Sequence, residues 1–184
     1  MSTNVSATRS RCLPSTWFQW HANLIGPGTA VLDVACGEGC HAIAAAARGA
    51  HVVGVDRDSE RLKAAENAAR KAKVTVEWIQ ADLTSGPLPD GPFDVVMVFG
   101  YLDRGRLPEL LACVKPGGYL LMETFLDQQR SLGWGPTSDD HLLRTGELWH
   151  IAEPFEIILA REVLEILDGS SRVVGSLLAQ RPME

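Results

Sequence analysis

Short apolar runs recur along the chain with helical signals between them, and that alternation restricts the fold more than any other feature. Ala30–Ala35 is apolar but for Asp33, and His51–Val55 runs apolar up to Asp56. Val74–Ile79 leads to Asp82, Phe93–Phe99 is almost wholly apolar, and Tyr119–Phe125 follows a sharp stop at Lys115-Pro-Gly-Gly118. Strands without a polar face have to be covered on both sides, the condition of a parallel sheet whose crossovers are helices. The intervening segments supply those helices. Cys40–Arg48 is alanine-rich, with Gly49 placed to end it. Asp58 is placed to cap Ser59–Lys73, where Leu62, Ala65, Ala69 and Ala72 form a helical stripe. Leu107–Val114 carries Pro108 in its first turn, and Ser15–Leu24 reads as a short helix ended by Gly26-Pro27-Gly28.

After residue 125 the pattern changes. Residues 126–145 hold little regular signal, and a loop of that length usually serves function. A short helix follows over Gly146–Ala152. Phe155–Leu167 and Arg172–Gln180 then flank the turn signal Asp168-Gly-Ser-Ser171, so an α/β chain ends in an antiparallel pair. The 184 residues suit one domain, with 1–14 as a loose tail and 15–184 as the domain. A formal charge of −6 argues against a nucleic-acid partner. No apolar run is long enough to span a membrane, so no membrane role is expected. Four cysteines without a C-x-x-C pair read as reduced thiols in a cytoplasmic setting.

The first strand ends in Asp33-Val-Ala35-Cys36-Gly37-Glu38-Gly39. At the carboxyl end of a strand in such a sheet, Gly37 and Gly39 let the backbone turn tightly and approach a ligand. Asp56, about 20 residues further on at the end of the second strand, is placed to accept both hydroxyls of a ribose. Asp82, at the end of the third, is placed to accept from an adenine amino group. Two ligand classes fit an adenosine site. A dinucleotide fingerprint, G-x-G-x-x-G, is met at only one of its three glycines, and Asp33 and Glu38 would repel a pyrophosphate. Acids around the turn instead suit a cationic, adenosine-bearing cofactor.

The segments VLDVACGEGCH, HVVGVDRD, VEWIQADL, FDVVMVFGYL and KPGGYLLMETF, in that order and at that spacing, resemble the class I S-adenosylmethionine-dependent methyltransferases, from about Trp17 to Pro182. The later HLLRTGELWHIAEPFEIILARE resembles the small tellurite-resistance methyltransferase group. The resemblance implies a three-layer, Rossmann-like, doubly wound α/β fold. Its seven-stranded sheet has the order 3-2-1-4-5-7-6, with strand seven antiparallel. It implies S-adenosyl-L-methionine as cofactor and S-adenosyl-L-homocysteine as product. At the turn, Ala35 stands where the family carries its first glycine. By position, Asp33, Ala35, Cys36, Gly37 and Gly39 would surround the amino-acid end of the cofactor, and Asp56 the ribose. Arg57, Ala81, Asp82 and Leu83 would border the adenine, and Phe99, Gly100 and Tyr101 the sulfonium side.

Methyl transfer from a sulfonium needs alignment and exclusion of water rather than a nucleophilic side chain, so no catalytic residue is assigned. Nor is a metal expected: Cys36, Cys40 and His41 lack a second pair at finger spacing. A chain this short favours a small-molecule acceptor: a thiol, a chalcogen oxyanion or a small acid. Trp17, Tyr101, Trp134 and His141 are the candidates to contact it. The rival readings are an NAD-dependent oxidoreductase and a non-catalytic binder of S-adenosylmethionine. Either a monomer or a homodimer is compatible with the sequence.

Overall fold

The computed structural model describes residues 13–167 and 169–183. Residues 1–12 of the expected tail lie outside them. The strands are β1 (Ala30–Val34), β2 (His51–Asp56), β3 (Glu77–Gln80), β4 (Phe93–Phe99), β5 (Val114–Phe125), β6 (Glu156–Leu167) and β7 (Ser170–Gln180). They form one sheet in the order 3-2-1-4-5-7-6. Strands β1 to β5 pair in parallel, and β7 pairs antiparallel with both β5 and β6. This is the sheet expected from the sequence.

Its helices are α1 (Thr16–His21), α2 (Cys40–Ala46), α3 (Ser59–Ala72), α4 (Leu107–Ala112) and α5 (Glu147–Ile151). Neighbouring strand residues belong to different cores. Val31, Val95, Met97 and Leu121 pack with Trp17, Phe18, Ala42 and Ala45 on one face. Leu32, Val34, Val96, Val98 and Leu120 pack with Leu110, Leu148 and Ile151 on the other. Alternate side chains of a strand point to opposite faces, so burial on both faces is why these strands carry no polar stripe.

Helix α3 begins where the sequence puts its cap. The Asp58 carboxylate accepts from the backbone N–H of Glu60 at 2.9 Å and of Arg61 at 3.2 Å. It ends at Lys73, which takes a left-handed conformation. The Val74 N–H then turns back to the Ala69 carbonyl, and β3 starts three residues later than expected.

The larger difference is at Lys115-Pro-Gly-Gly118, which does not break the chain. Strand β5 runs through it from Val114. The Gly117 N–H donates to the Arg181 carbonyl, and the Arg181 N–H donates to Gly118. A positive φ at Gly117 and a register shift against β4 absorb the irregularity. Its backbone partner is the C-terminal chain, which no local pattern announces.

Residues 126–145 form two 3-10 turns, Asp127–Leu132 and Asp139–His141. Leu142 and Leu143 beyond them are fully buried. Among the described residues, no helix is long and apolar enough to cross a membrane.

Candidate functional site

The carboxyl ends of β1, β2 and β4, with the segments that follow β3 and β4, surround a cavity of about 330 Å³. Its wall includes Ala35, Asp56, Arg57, Ala81, Asp82, Leu83, Gly100 and Tyr101. These eight expected residues, drawn from four strand ends, are brought together. His141 joins them from the long loop, and so do Arg61, Thr84, Leu102 and Pro136, which sequence reasoning missed. Arg61 had a signal: it lies one turn into the helix that Asp58 caps, so helical geometry carries it back over the glycine turn. Pro136 had none.

The turn is built from conformations that glycine allows. Gly37 and Gly39 have φ of 56° and 77°. Ala35 also has a positive φ, 53°. An L-residue holds that conformation at a strain of roughly 1 kcal/mol, which explains why the resembled family carries glycine there. The two glycines serve different ends. A Cβ on Gly37 would meet only Arg61, at 3.8 Å. A Cβ on Gly39 would stand 2.5 Å from the Trp78 ring, and one on Gly54 2.7 Å from it. Gly39 therefore faces the packing of Trp78 rather than the cavity.

Asp56 is buried at the end of β2. One of its oxygens accepts from the Gly37 N–H at 2.8 Å, and the other from the Asp58 N–H at 2.9 Å. Each carboxylate oxygen has about two acceptor positions, so both keep one for a ligand while the turn holds the carboxylate in place. Asp82 caps its own turn, accepting from the Thr84 N–H at 3.0 Å and the Thr84 hydroxyl at 2.7 Å. The Thr84 N–H is the main reason its pKa lies below the ordinary value. Asp33 sits behind the turn rather than on the cavity wall. It is almost fully buried and accepts from the Ala42 N–H at 2.9 Å. Burial pushes its pKa up to about 7; the Ala42 hydrogen bond opposes the rise, and Asp56 adds to it.

Tyr101 lines the cavity with a phenol that burial, chiefly, pushes up to about 12. His141 is delivered by an anchor. Arg104 donates from Nη2 to the Leu142 carbonyl at 2.8 Å and from Nη1 to the Asp139 and Asp140 carbonyls, while its guanidinium pairs with Glu147.

A second cavity, about 210 Å³, also has Gly100 in its wall. Ser15, His41, Phe99, Glu123, Thr124, Phe125, Arg172 and Val174 complete its wall. Among the described residues, Gly100 is the one lining residue that the two cavities share. Its φ is 65°, and a Cβ there would meet nothing within 4 Å. The His41 ring stacks on Phe99 at 3.8 Å, and its Nε2 accepts from the Ser15 N–H at 3.1 Å. Burial first, then Arg172, lowers its pKa to about 4, so it is a neutral ring at pH 7.

Glu123 and Arg172 of this wall belong to a charge network that the sequence did not announce. Glu123, buried on β5, accepts from the Ser176 hydroxyl at 2.8 Å and pairs with Arg161 at 3.3 Å and Arg172 at 3.1 Å. Glu165 pairs with both arginines as well. Arg161 also lies over the rings of Trp17 and Trp20, at 4.9 and 4.6 Å from their centroids.

Trp17 is fully buried, its indole N–H directed at the Leu177 carbonyl, and lines neither cavity. Trp134 rests edge-on against Phe125, outside both. Cys36 is a buried thiol whose pKa burial raises. Cys40 is disulfide-bonded, which departs from the expectation of reduced thiols throughout. No group of three or more metal-binding side chains occurs among the described residues.

Residues 31–118 match the family described as Methyltransf_25, methyltransferase domain. An uncharacterized methyltransferase of Mycobacterium tuberculosis is 34% identical over 126 residues, 66% of this chain and 56% of that protein. The ubiquinone biosynthesis O-methyltransferase of Paraburkholderia xenovorans is 34% identical over 116 residues, 59% of this chain and 49% of its own length. The chain thus spans about half the length of the curated relatives it matches. Among solved structures, TehB from Haemophilus influenzae superposes with a TM-score of 0.73 at 18% identity, covering 89% of this chain and 60% of that one. A SAM-dependent methyltransferase from Methanosarcina mazei superposes at 0.70 with 22% identity, covering 90% and 98%. In sheet order, in the turn and over residues 31–118, the chain is similar to class I methyltransferase domains. The cofactor of that class is S-adenosylmethionine.

Proposed function

We propose that this chain transfers the methyl group of S-adenosylmethionine to a small-molecule acceptor, with the cofactor in the larger cavity and the acceptor in the smaller. The observation that carries the reading is the pair of cavities meeting at Gly100. A displacement at a methyl carbon needs donor and acceptor in line on either side of one opening, and a residue without a side chain leaves that opening clear.

The larger cavity fits the cofactor. Asp56 offers an anionic acceptor pair to the ribose, and Arg57, Ala81, Asp82 and Leu83 border the adenine position. The volume is of the order that small-ligand pockets show. Cys36, Gly37 and Gly39 act through the shape of the turn, and buried Asp33 holds the start of α2 against it. S-adenosylmethionine supplies an activated methyl on a positively charged sulfur, and its leaving group is neutral. The chain then has to align the partners and exclude water, contributions worth several kcal/mol. Phe99 and the His41 ring form a dry wall on the acceptor side. His41 supplies no base at neutral pH, since its Nε2 lone pair is already engaged by the Ser15 N–H and its pKa is low. The smaller cavity admits a small acceptor such as a thiol, a chalcogen oxyanion or a small acid.

Titration calorimetry with S-adenosylmethionine, S-adenosylhomocysteine and NAD, followed by a methyl-transfer screen over thiols, selenite, tellurite and small acids, tests the reading. Binding of the first two ligands and turnover of at least one acceptor are expected. Binding of NAD without response to the other two would overturn it.

A further inference from the structure

Strand β6 ends the sheet, and its twelve residues present the long edge of the molecule. Sheets protect such edges with charges, prolines or short strands, because unpaired backbone groups recruit another strand. Beside its four charged residues this edge carries exposed apolar side chains. Leu164 is 60% and Ile166 70% exposed, and Ile158, Leu159 and Leu167 are exposed as well. Two tryptophans flank it. Trp20, on one face of the sheet, lies beside Arg161 of β6 and is more than half exposed. On the other face Trp149 is nearly half exposed. Residues two apart on a helix point about 200° away from one another. Glu147 reaches toward Arg104, so Trp149, on the same short helix, points away from Arg104.

We infer that this edge pairs with the same edge of a second copy of this chain, β6 against β6 antiparallel about a two-fold axis at Val163, joining two seven-stranded sheets into one.

The charge pattern of β6 selects that occupant and that register. Across a two-fold axis perpendicular to the sheet, residues on the same face meet, so within Leu159–Leu167, beyond the register shift at Ile157–Leu159, the paired numbers differ by an even count. Centring on Arg161, Glu162 or Glu165 would set like charges against each other on the axis. Centring on Val163 sets Arg161 opposite Glu165 of the second copy, twice, and pairs Leu159 with Leu167. Within the regular stretch Leu159–Leu167 it is the one register that places opposite charges face to face. The Arg161–Glu165 pair within each copy then closes into a ring of four alternating charges. An isologous contact has to be self-complementary in this way. A foreign strand would need no such symmetry. The exposed apolar side chains and the two tryptophans give the contact burial beyond the strand pairing itself.

Sedimentation velocity over a concentration series, combined with oxidative cross-linking of a Val163→Cys variant, tests the proposal. A dimer is expected in the wild type. Cross-linked dimer is expected for Val163→Cys, because residues opposed across an antiparallel pair lie within disulfide reach. The exposed double variant Leu164→Lys/Ile166→Lys should sediment as a monomer with an unchanged circular dichroism spectrum. A monomeric wild type, or a dimer that survives the double lysine variant, would overturn it. So would a dimer in which Val163→Cys forms no more cross-link than the wild type or than Ile158→Cys.

Discussion

The two cavities that meet at Gly100 are built in opposite ways. The larger draws most of its wall from the first residues after β1, β2, β3 and β4, each a local event: an apolar run, then an acid or a turn. The smaller is assembled from positions as far apart as Ser15 and Val174, and its wall leans on a network linking β5, β6 and β7. One is a set of strand ends that topology collects at a single point. The other depends on ion pairs between residues remote in sequence. The difference teaches that strand order alone collects the wall of the larger cavity, whereas the smaller has to be made by specific tertiary contacts.

The largest expected effect would break the second construction. Glu123→Ala leaves Arg161 and Arg172 with one carboxylate between them in a poorly solvated layer. Urea denaturation at pH 7 should report a loss of about 3 kcal/mol, in the range for breaking a buried pair. Cofactor affinity should change little, since the network does not touch the larger cavity. Equal loss of both would mean that the two sites are not separable.

Asp56→Ala is the reverse test. Removing the acceptor at the end of β2 should weaken S-adenosylhomocysteine binding by about 100-fold, near 3 kcal/mol, as expected for losing charge-assisted hydrogen bonds. Unchanged affinity in calorimetry would exclude the ribose role.

The pH dependence divides along the same line. Asp33 has a folded pKa of about 7, above the ordinary value of 3.8, so the folded state holds a proton that the unfolded state releases. Its contribution is complete below about pH 4 and is lost as pH rises toward 7. His41 has a folded pKa near 4, below 6.5, so its contribution is present above 6.5 and is lost as pH falls toward 4. The two slopes oppose each other between pH 4 and 6.5. Asp33→Asn should therefore leave a profile that rises with pH across that window, measured by denaturant midpoints. A profile identical to the wild type would contradict the buried, protonated carboxyl.

The smallest effect concerns the turn. Ala35→Gly relieves a left-handed alanine but adds freedom to the unfolded chain, so a net gain of about 0.5 kcal/mol is expected. A loss measured by thermal denaturation would show that the methyl group packs productively.

Legibility followed the same division. Asp58 could be read as a helix cap because capping depends on residues two and three positions away. Asp56 and Asp82 could be read as site acids because each closes its own strand. The sheet order was implied by family resemblance, and the structure carries it. Where a partner is remote, local reading stops. Lys115-Pro-Gly-Gly118 reads as a break, yet the C-terminal chain pairs with it and the strand continues. Trp17 reads equally as a ligand cover or as core; its burial against β7 is decided by Leu177, 160 residues away. Gly39 reads as a ligand-facing glycine, and the ring it accommodates belongs to Trp78. Glu123, inside an apolar strand, gives no hint that two arginines from the terminal hairpin will neutralise it.

The sequence by itself determined the parallel sheet, the turn after β1 and the acids at the strand ends. Each follows from periodicity, side-chain chemistry and backbone freedom within a few residues. Only the tertiary structure decided that two cavities share Gly100, that Asp33 stands behind the turn, and that an Arg–Glu network supports the smaller cavity. Those arrangements are contacts between distant segments, and burial, which sets both the pairing of charges and the pKa of Asp33, exists only once the sheet has closed around them.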